Sequence, residues 1–182
     1  MRFLDRFLQT WRTVKTIKYI NKNDVVLDIG CYDAILFNKL ATKIKYGVGI
    51  DPLIKPFKNE KFELIKGLFP QKLPTNIQKF DSIVLLAVLE HIPENEIEKL
   101  IFEIYNHLNE YGKAILTVPD ARVDKILKFL IKFKILDGMS VEEHHGFDTQ
   151  KIVPYFEKHN FKLKKHEVFQ FGLNNLYIFI KN

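Results

Sequence analysis

Two hydrophobic periods run along this chain, and the places where one gives way to the other mark its elements. Phe3, Leu4, Phe7, Leu8, Trp11 and Val14 share one helical stripe, with Arg2, Arg6, Gln9, Arg12 and Lys15 largely off it. That pattern predicts an amphipathic helix over residues 2–20. The polar run Asn21–Asp24 ends it. "VVLDI" then reads as a buried strand and "AILFNKLATKI" as a helix. "YGVGID" and "FELIKG" are short strands, and the almost wholly apolar "FDSIVLLAVL" fits a strand covered on both faces. "PENEIEKLIFEIYNHL" is the clearest helix. Pro93 suits its first turn, Glu94, Glu96 and Glu98 suit the positive end of its dipole, and Ile97, Leu100, Ile101, Ile104 and Leu108 make its stripe. "NEYGK" turns the chain into a further strand, "AILTVP".

Alternation of this kind implies a parallel sheet with right-handed crossovers. The connections at 52–61 and 67–79 are short and carry Pro52, Pro56, Pro70 and Pro74, so turns rather than full helices are expected there. Beyond Pro119 the pattern changes. "ARVDKILKFLIKFKIL" reads as a basic amphipathic helix and "DGMSVEEHHGF" as a loop; segment 120–148 as a whole is a candidate lid. "DTQKIVPYFEKHNF" reads as a helix interrupted or kinked at Pro154. "KLKKHEVFQF" and "NLYIFIKN" close the chain as a hairpin around Gly172. With no repeat and no low-complexity linker, the 182 residues are read as one domain spanning 1–182.

Composition narrows the picture further. Hydrophobic residues make up 47% and charged residues 27%, as in a soluble globular chain. Cys31 is the only cysteine, which excludes an intrachain disulfide and a cysteine-based zinc site and fits a reducing, cytoplasmic compartment. No apolar run approaches the ~18 residues of a membrane span. The first twenty residues carry charges throughout and do not read as a signal peptide. The net charge of +6 is spread rather than blocked, which fits a lysine-rich solvated surface with weak attraction to anions.

In an open parallel sheet, ligands sit at the carboxyl ends of the strands. Those ends here carry Asp28-Ile29-Gly30-Cys31, Asp51-Pro52, Gly67-Leu68, Ala87 to His91, and Pro119-Asp120. Asp51 follows Gly30 at the spacing, about twenty residues, where an acid accepts hydrogen bonds from ribose hydroxyls. A dinucleotide fingerprint needs three glycines, and this chain offers Gly30, Tyr32 and Ile35 at those places. A pyrophosphate would meet side chains where it needs bare amides, and no phosphate-binding G-x-x-x-x-G-K-[ST] loop exists. The site fits a nucleoside without phosphates, which disfavours a nicotinamide-dependent oxidoreductase.

"VVLDIGCYDAILFNKL", "YGVGID", "FDSIVLLAVLEHI", "LNEYGKAILTVP" and "HHGFDTQKIVPYFEKHNF" together resemble the class I S-adenosylmethionine-dependent methyltransferases, in particular the small-molecule group, over about residues 22–182. The resemblance implies an α/β, Rossmann-like three-layer sandwich with a seven-stranded, mostly parallel sheet and an antiparallel last strand. It also implies S-adenosylmethionine as cofactor. Asp28, Gly30 and Cys31 would hold its methionine part, with Tyr32 in the same turn. Asp51 would take the ribose hydroxyls, Pro52 would lie beside the adenine, Leu68 and Phe69 would border it, and Ala87 would lie near the sulfonium. The family pattern has glycine where this chain has Tyr32 and Ala34, and often an acid where it has Leu68. These departures keep one alternative alongside the enzyme: a non-catalytic, methyltransferase-like binding or scaffold protein.

Methyl transfer from a sulfonium needs alignment and, for some acceptors, a base, but no enzyme nucleophile. Cys31 is accordingly read as a packing residue. His91, in "LEHI", is the candidate general base. His144 and His145 are further candidates, since similar family members have a histidine facing the substrate near that place. No third ligand can be placed beside them, so no metal site is expected. The favoured acceptor is a small metabolite, sugar or lipid-linked molecule, methylated at oxygen. Peripheral membrane contact through the first helix or the 122–136 helix is open, whereas the absence of a dense basic stripe with aromatics disfavours nucleic acid.

Overall fold

The computed structural model describes residues 3–74, 79–120 and 148–182. Helix α1 (Phe3–Ile17) leads into strand β1 (Val25–Ile29), helix α2 (Ile35–Leu40) and strand β2 (Tyr46–Asp51). Strands β3 (Phe57–Lys58), β4 (Phe62–Lys66) and β5 (Phe80–Leu86) follow, then a 3₁₀ turn at Leu89–His91, helix α3 (Glu94–His107) and strand β6 (Leu108–Pro119). Another 3₁₀ turn (Thr149–Lys151), helix α4 (Ile152–Lys158), strand β7 (Phe161–Phe169) and strand β8 (Asn174–Lys181) complete the described chain.

All eight strands join one sheet in the order β3-β4-β2-β1-β5-β6-β8-β7. The pairs β4–β2, β2–β1, β1–β5 and β5–β6 are parallel. The last strand, β8, is antiparallel to both neighbours and lies between β6 and β7. The Rossmann-like architecture is therefore as expected, with one strand more than the seven read from the pattern. The addition is β3, which pairs antiparallel with β4 through two residues, too few to show any period.

Successive residues of the central strands enter different cores, as the pleat requires. Leu27, Ile29, Ile83 and Leu85 pack beneath α3 and α4 with Ile97, Ile101, Ile104, Ile152 and Phe156. Val26, Val84 and Ile115 pack on the opposite face with Leu36, Phe37 and Leu40 of α2 and with Ile20. The two glycines of β2 explain how closely α2 can approach. A Cβ at Gly47 would fall 2.3 Å from the Phe37 ring, and one at Gly49 would fall 2.7 Å from Cys31 Sγ.

One reading is corrected. Pro154 does not kink a helix. It occupies the first turn of α4, just beyond the 3₁₀ turn, where its missing N–H would have had no intrahelical acceptor. The apolar stripe of α1 is covered only in part: Trp11 packs against the core of the α2 face. Thr13, Thr16 and Ile20 are fully buried, whereas Phe7 is 50% and Val14 45% exposed. Helix α1 is held as well by polar clasps: Gln9 Nε2 donates to both Asp33 carboxylate oxygens, Gln170 Nε2 donates to Leu8 O, and Lys15 pairs with Glu167. The proposed 122–136 helix and nearly all of the candidate lid 120–148 lie outside the described residues.

Candidate functional site

The turn after β1 is the centre of the site. Gly30 takes a φ of +79°, and its N–H continues the ladder by donating to Ile50 O at 2.9 Å. A Cβ there would lie 2.6 Å from Val88 Cγ2 on the loop after β5, so the two loops meet at a point that only glycine fits. Tyr32 and Ala34 also have left-handed backbone, at φ 31° and 58°. Hydrogen bonds hold both in place: Tyr32 N donates to Asp51 Oδ2 at 3.2 Å, and Ala34 N donates to Cys31 O at 2.8 Å. Tyr32 stays 48% exposed, so its phenol is not part of the core. Cys31 is buried, with its thiol pushed to a higher pKa mainly by burial and then by Asp28 and Asp51. A thiol kept protonated in this way is a packing group, not a nucleophile.

Asp51 joins two loops. Its Oδ1 accepts from Leu53 N at 2.7 Å while its Oδ2 accepts from Tyr32 N. Each carboxylate oxygen retains further acceptor capacity. Asp28 is buried, and its pKa is raised well above the usual carboxylate value, first by burial and then by the charges of Asp33 and Asp51. Three carboxylates thus converge on one turn. Such a cradle suits a cationic, phosphate-free ligand, because a positive group offsets their mutual repulsion while a phosphate would add to it.

The neighbouring loops complete the rim. Pro52 follows Asp51 directly and is exposed. Gly67 N donates to Asp51 O at 3.1 Å, which places exposed Leu68 beside the end of β2. Phe69 packs differently from its neighbour: its ring meets His107 of α3 edge-on at 5.2 Å. Ala87 has φ 59° and donates its N–H to Thr117 O at 2.9 Å. His91 ends the 3₁₀ turn that Val88 begins and is exposed, while Glu90 beside it is buried. His144 and His145 lie outside the described residues. Among the described residues, no group of three or more His, Cys, Asp or Glu side chains is placed to hold a metal.

Asp33 and Gln9 also support this turn, although no motif marks either as a site residue. Asp33 lies in the turn and adds to the field at Asp28. Gln9 reaches it across 24 residues from a different helix, a pairing that no local pattern announces.

Residues 2–166 match the family described as "Methyltransferase domain". Among solved structures, magnesium protoporphyrin IX methyltransferase from Synechocystis PCC 6803, with bound SAH, aligns with a TM-score of 0.73 at 15% identity, covering 100% of this chain and 89% of that one. The PH0226 protein of Pyrococcus horikoshii OT3 aligns with a TM-score of 0.72 at 17% identity, covering 97% and 92%. At these identities the likeness is one of fold. In sequence, the ribosomal RNA small subunit methyltransferase A of Mesomycoplasma hyopneumoniae (strain 232) is 26% identical over 113 residues, which is 58% of this chain and 41% of that protein.

Proposed function

Because the chain belongs to the methyltransferase domain family and is an S-adenosylmethionine-dependent methyltransferase, we propose that it methylates a small metabolite, sugar or lipid-linked acceptor at oxygen, working in the cytoplasm or at a membrane surface. When bound, the cofactor supplies an electrophilic methyl group on a sulfonium. The chain's own part is to bind, align and deprotonate. In this reading Asp51 accepts from the ribose hydroxyls with the lone pairs its loop amides leave open, and Asp28 with the Gly30–Cys31 backbone faces the cationic methionine end. Pro52 and Leu68 border the base and Ala87 the sulfonium. No acid at position 68 is available to accept from the adenine amine, so adenine is held by packing and backbone. His91 takes the proton from the acceptor hydroxyl.

The observation that carries this reading is the exposure of His91 next to the loop that touches Gly30. An exposed imidazole there can meet an incoming acceptor, whereas a buried one could not. The test uses S-adenosylmethionine labelled in its methyl group and cell extract split into aqueous small-molecule, lipid-extractable and nucleic-acid fractions. Label is expected in one of the first two. On the acceptor so found, His91→Ala should lower kcat by about 10²–10⁴-fold and remove the acidic limb, the fall in rate at low pH, from the pH–rate profile. Unchanged kcat would remove His91 as the base. The stretch of similarity to an RNA methyltransferase favours a second reading, an RNA acceptor; label confined to the nucleic-acid fraction would establish it in place of the first.

A further inference from the structure

Helix α1 turns Thr13, Thr16, Trp11 and Ile17 towards the domain, the last two packing against the core of the α2 face, while Phe7 and Val14 stay about half exposed. Thr13 and Thr16 are buried against the domain, and Thr16 Oγ1 has no hydrogen-bond partner among the described residues. Phe7, Trp11 and Val14 follow one another at the i, i+4, i+7 spacing of a single face, and two of them are about half exposed.

The β7–β8 hairpin adds to the same surface. Its tip lies at the carboxyl edge of the sheet, because Asn174 pairs with Pro119 and Leu173 O accepts from Asp120 N. The turn has φ 52° at Gln170 and 58° at Phe171, closed by Gly172 N donating to Phe169 O at 3.2 Å. Phe169 pairs with Asn174 across this loop, and Gly172 is left-handed as well at φ 82°; glycine and asparagine take such backbone at least cost. Gln170 has a structural reason to be there, since its side chain clasps both Leu8 O and Asn174. Phe171 has none of that kind. It is 91% exposed and touches Trp11 edge-on at 5.7 Å, as Trp11 in turn touches Phe7 at 5.7 Å. Backbone strain that holds an aromatic ring in water points to function rather than fold.

We propose that Phe7, Trp11 and Phe171 form an interfacial wedge that docks the protein on an anionic lipid bilayer. Charge complementarity selects this partner: Arg6 beside Phe7 in the sequence and Lys18 just past the end of α1 are both exposed, and the chain carries a net +6. Amphipathic surfaces with aromatics on one side and basic residues around them lie in the headgroup boundary. Gln9 clasps Asp33 of the cofactor turn from this same helix, so docking brings the candidate cleft close to the lipid. The choice of a lipid-linked acceptor rests on the functional reading above, but the docking itself does not.

Trp11 is the only tryptophan, so its emission reports on the wedge without a label. Vesicles of phosphatidylcholine mixed with phosphatidylglycerol should pull the full chain down on sedimentation and shift Trp11 emission to the blue. Phosphatidylcholine alone, or added salt, should weaken both effects. Phe171→Gly suits the turn better than phenylalanine, so it should melt no lower than wild type while its vesicle partitioning falls about tenfold or more. Phe7→Ser should do the same to partitioning. Thermal stabilisation by S-adenosylhomocysteine is measured on each protein: if it persists while vesicle binding is absent, the wedge is wrong and the methyltransferase reading stands. Unchanged Trp11 emission with vesicles overturns the proposal. So does a concentration-dependent dimer that Phe171→Gly dissociates in the absence of lipid, which would make the surface a contact between copies of this chain.

Discussion

Replacing Gly30 with alanine puts one methyl group where the loops after β1 and β5 touch. The backbone there has φ +79°, and an L-residue held in the left-handed region costs about 1–2 kcal/mol. The new Cβ would lie 2.6 Å from Val88 Cγ2. Carbon atoms prefer about 3.5–4.0 Å, so the valine must give by roughly 1 Å. Overpacking of that order costs about 1–3 kcal/mol. Restricting the unfolded chain returns about 0.4–1 kcal/mol. The net expectation is a loss of about 3 kcal/mol, or about 6–12 °C in Tm for a domain of this size. The steric part can be isolated. Val88 Cβ lies 3.7 Å from the same position, an ordinary contact, so Val88→Ala removes the clash and leaves only the backbone cost. Urea denaturation of Gly30→Ala, Val88→Ala and the double variant then forms a cycle. The double variant should be more stable than the sum of the single effects implies, by about 1–3 kcal/mol. Additivity within about 0.5 kcal/mol would refute the idea that contact between the loops is what demands glycine.

Three further outcomes are expected. Asp51→Ala should weaken cofactor binding by about 1–3 kcal/mol, measured by calorimetry with S-adenosylhomocysteine; an unchanged dissociation constant would count against its place in the site. Asp28 holds its proton more tightly folded than unfolded, so the stability it contributes is complete below the ordinary value of 3.8 and is lost as pH rises through the raised folded value. Asp28→Asn should therefore flatten the decline in apo-protein Tm above that pH, and parallel pH–Tm curves for the two proteins would contradict the assignment. Phe156 is fully buried and stacks on Phe179 with centroids 4.2 Å apart; Phe156→Ala should cost about 3–5 kcal/mol in chemical denaturation, and a loss under about 1 kcal/mol would show that this core layer collapses around the gap.

The strands and α3 were legible because their periods are imposed by burial on both faces of the sheet. Val26 and Leu27 must enter different cores, and both are apolar for that reason. What escaped the sequence is what depends on distance or on surface. The stripe of α1 was visible, but how much of it the domain covers was not: Trp11 packs on the core while Phe7 and Val14 stay about half exposed, and the clasps from Gln9 to Asp33 and from Gln170 to Leu8 that fix the helix come from distant parts of the chain. The turn after β1 teaches a similar lesson. Glycine is expected where backbone must be left-handed, and Tyr32 and Ala34 read as departures on that ground. The backbone is left-handed at both positions all the same. Bonds from Tyr32 N to Asp51 and from Ala34 N to Cys31 O over-determine the turn, so an unfavourable φ of about 1–2 kcal/mol per residue is tolerated. Glycine at positions 32 and 34 would ease this geometry without being required for it. At Gly30, where a side chain would strike Val88, it is required.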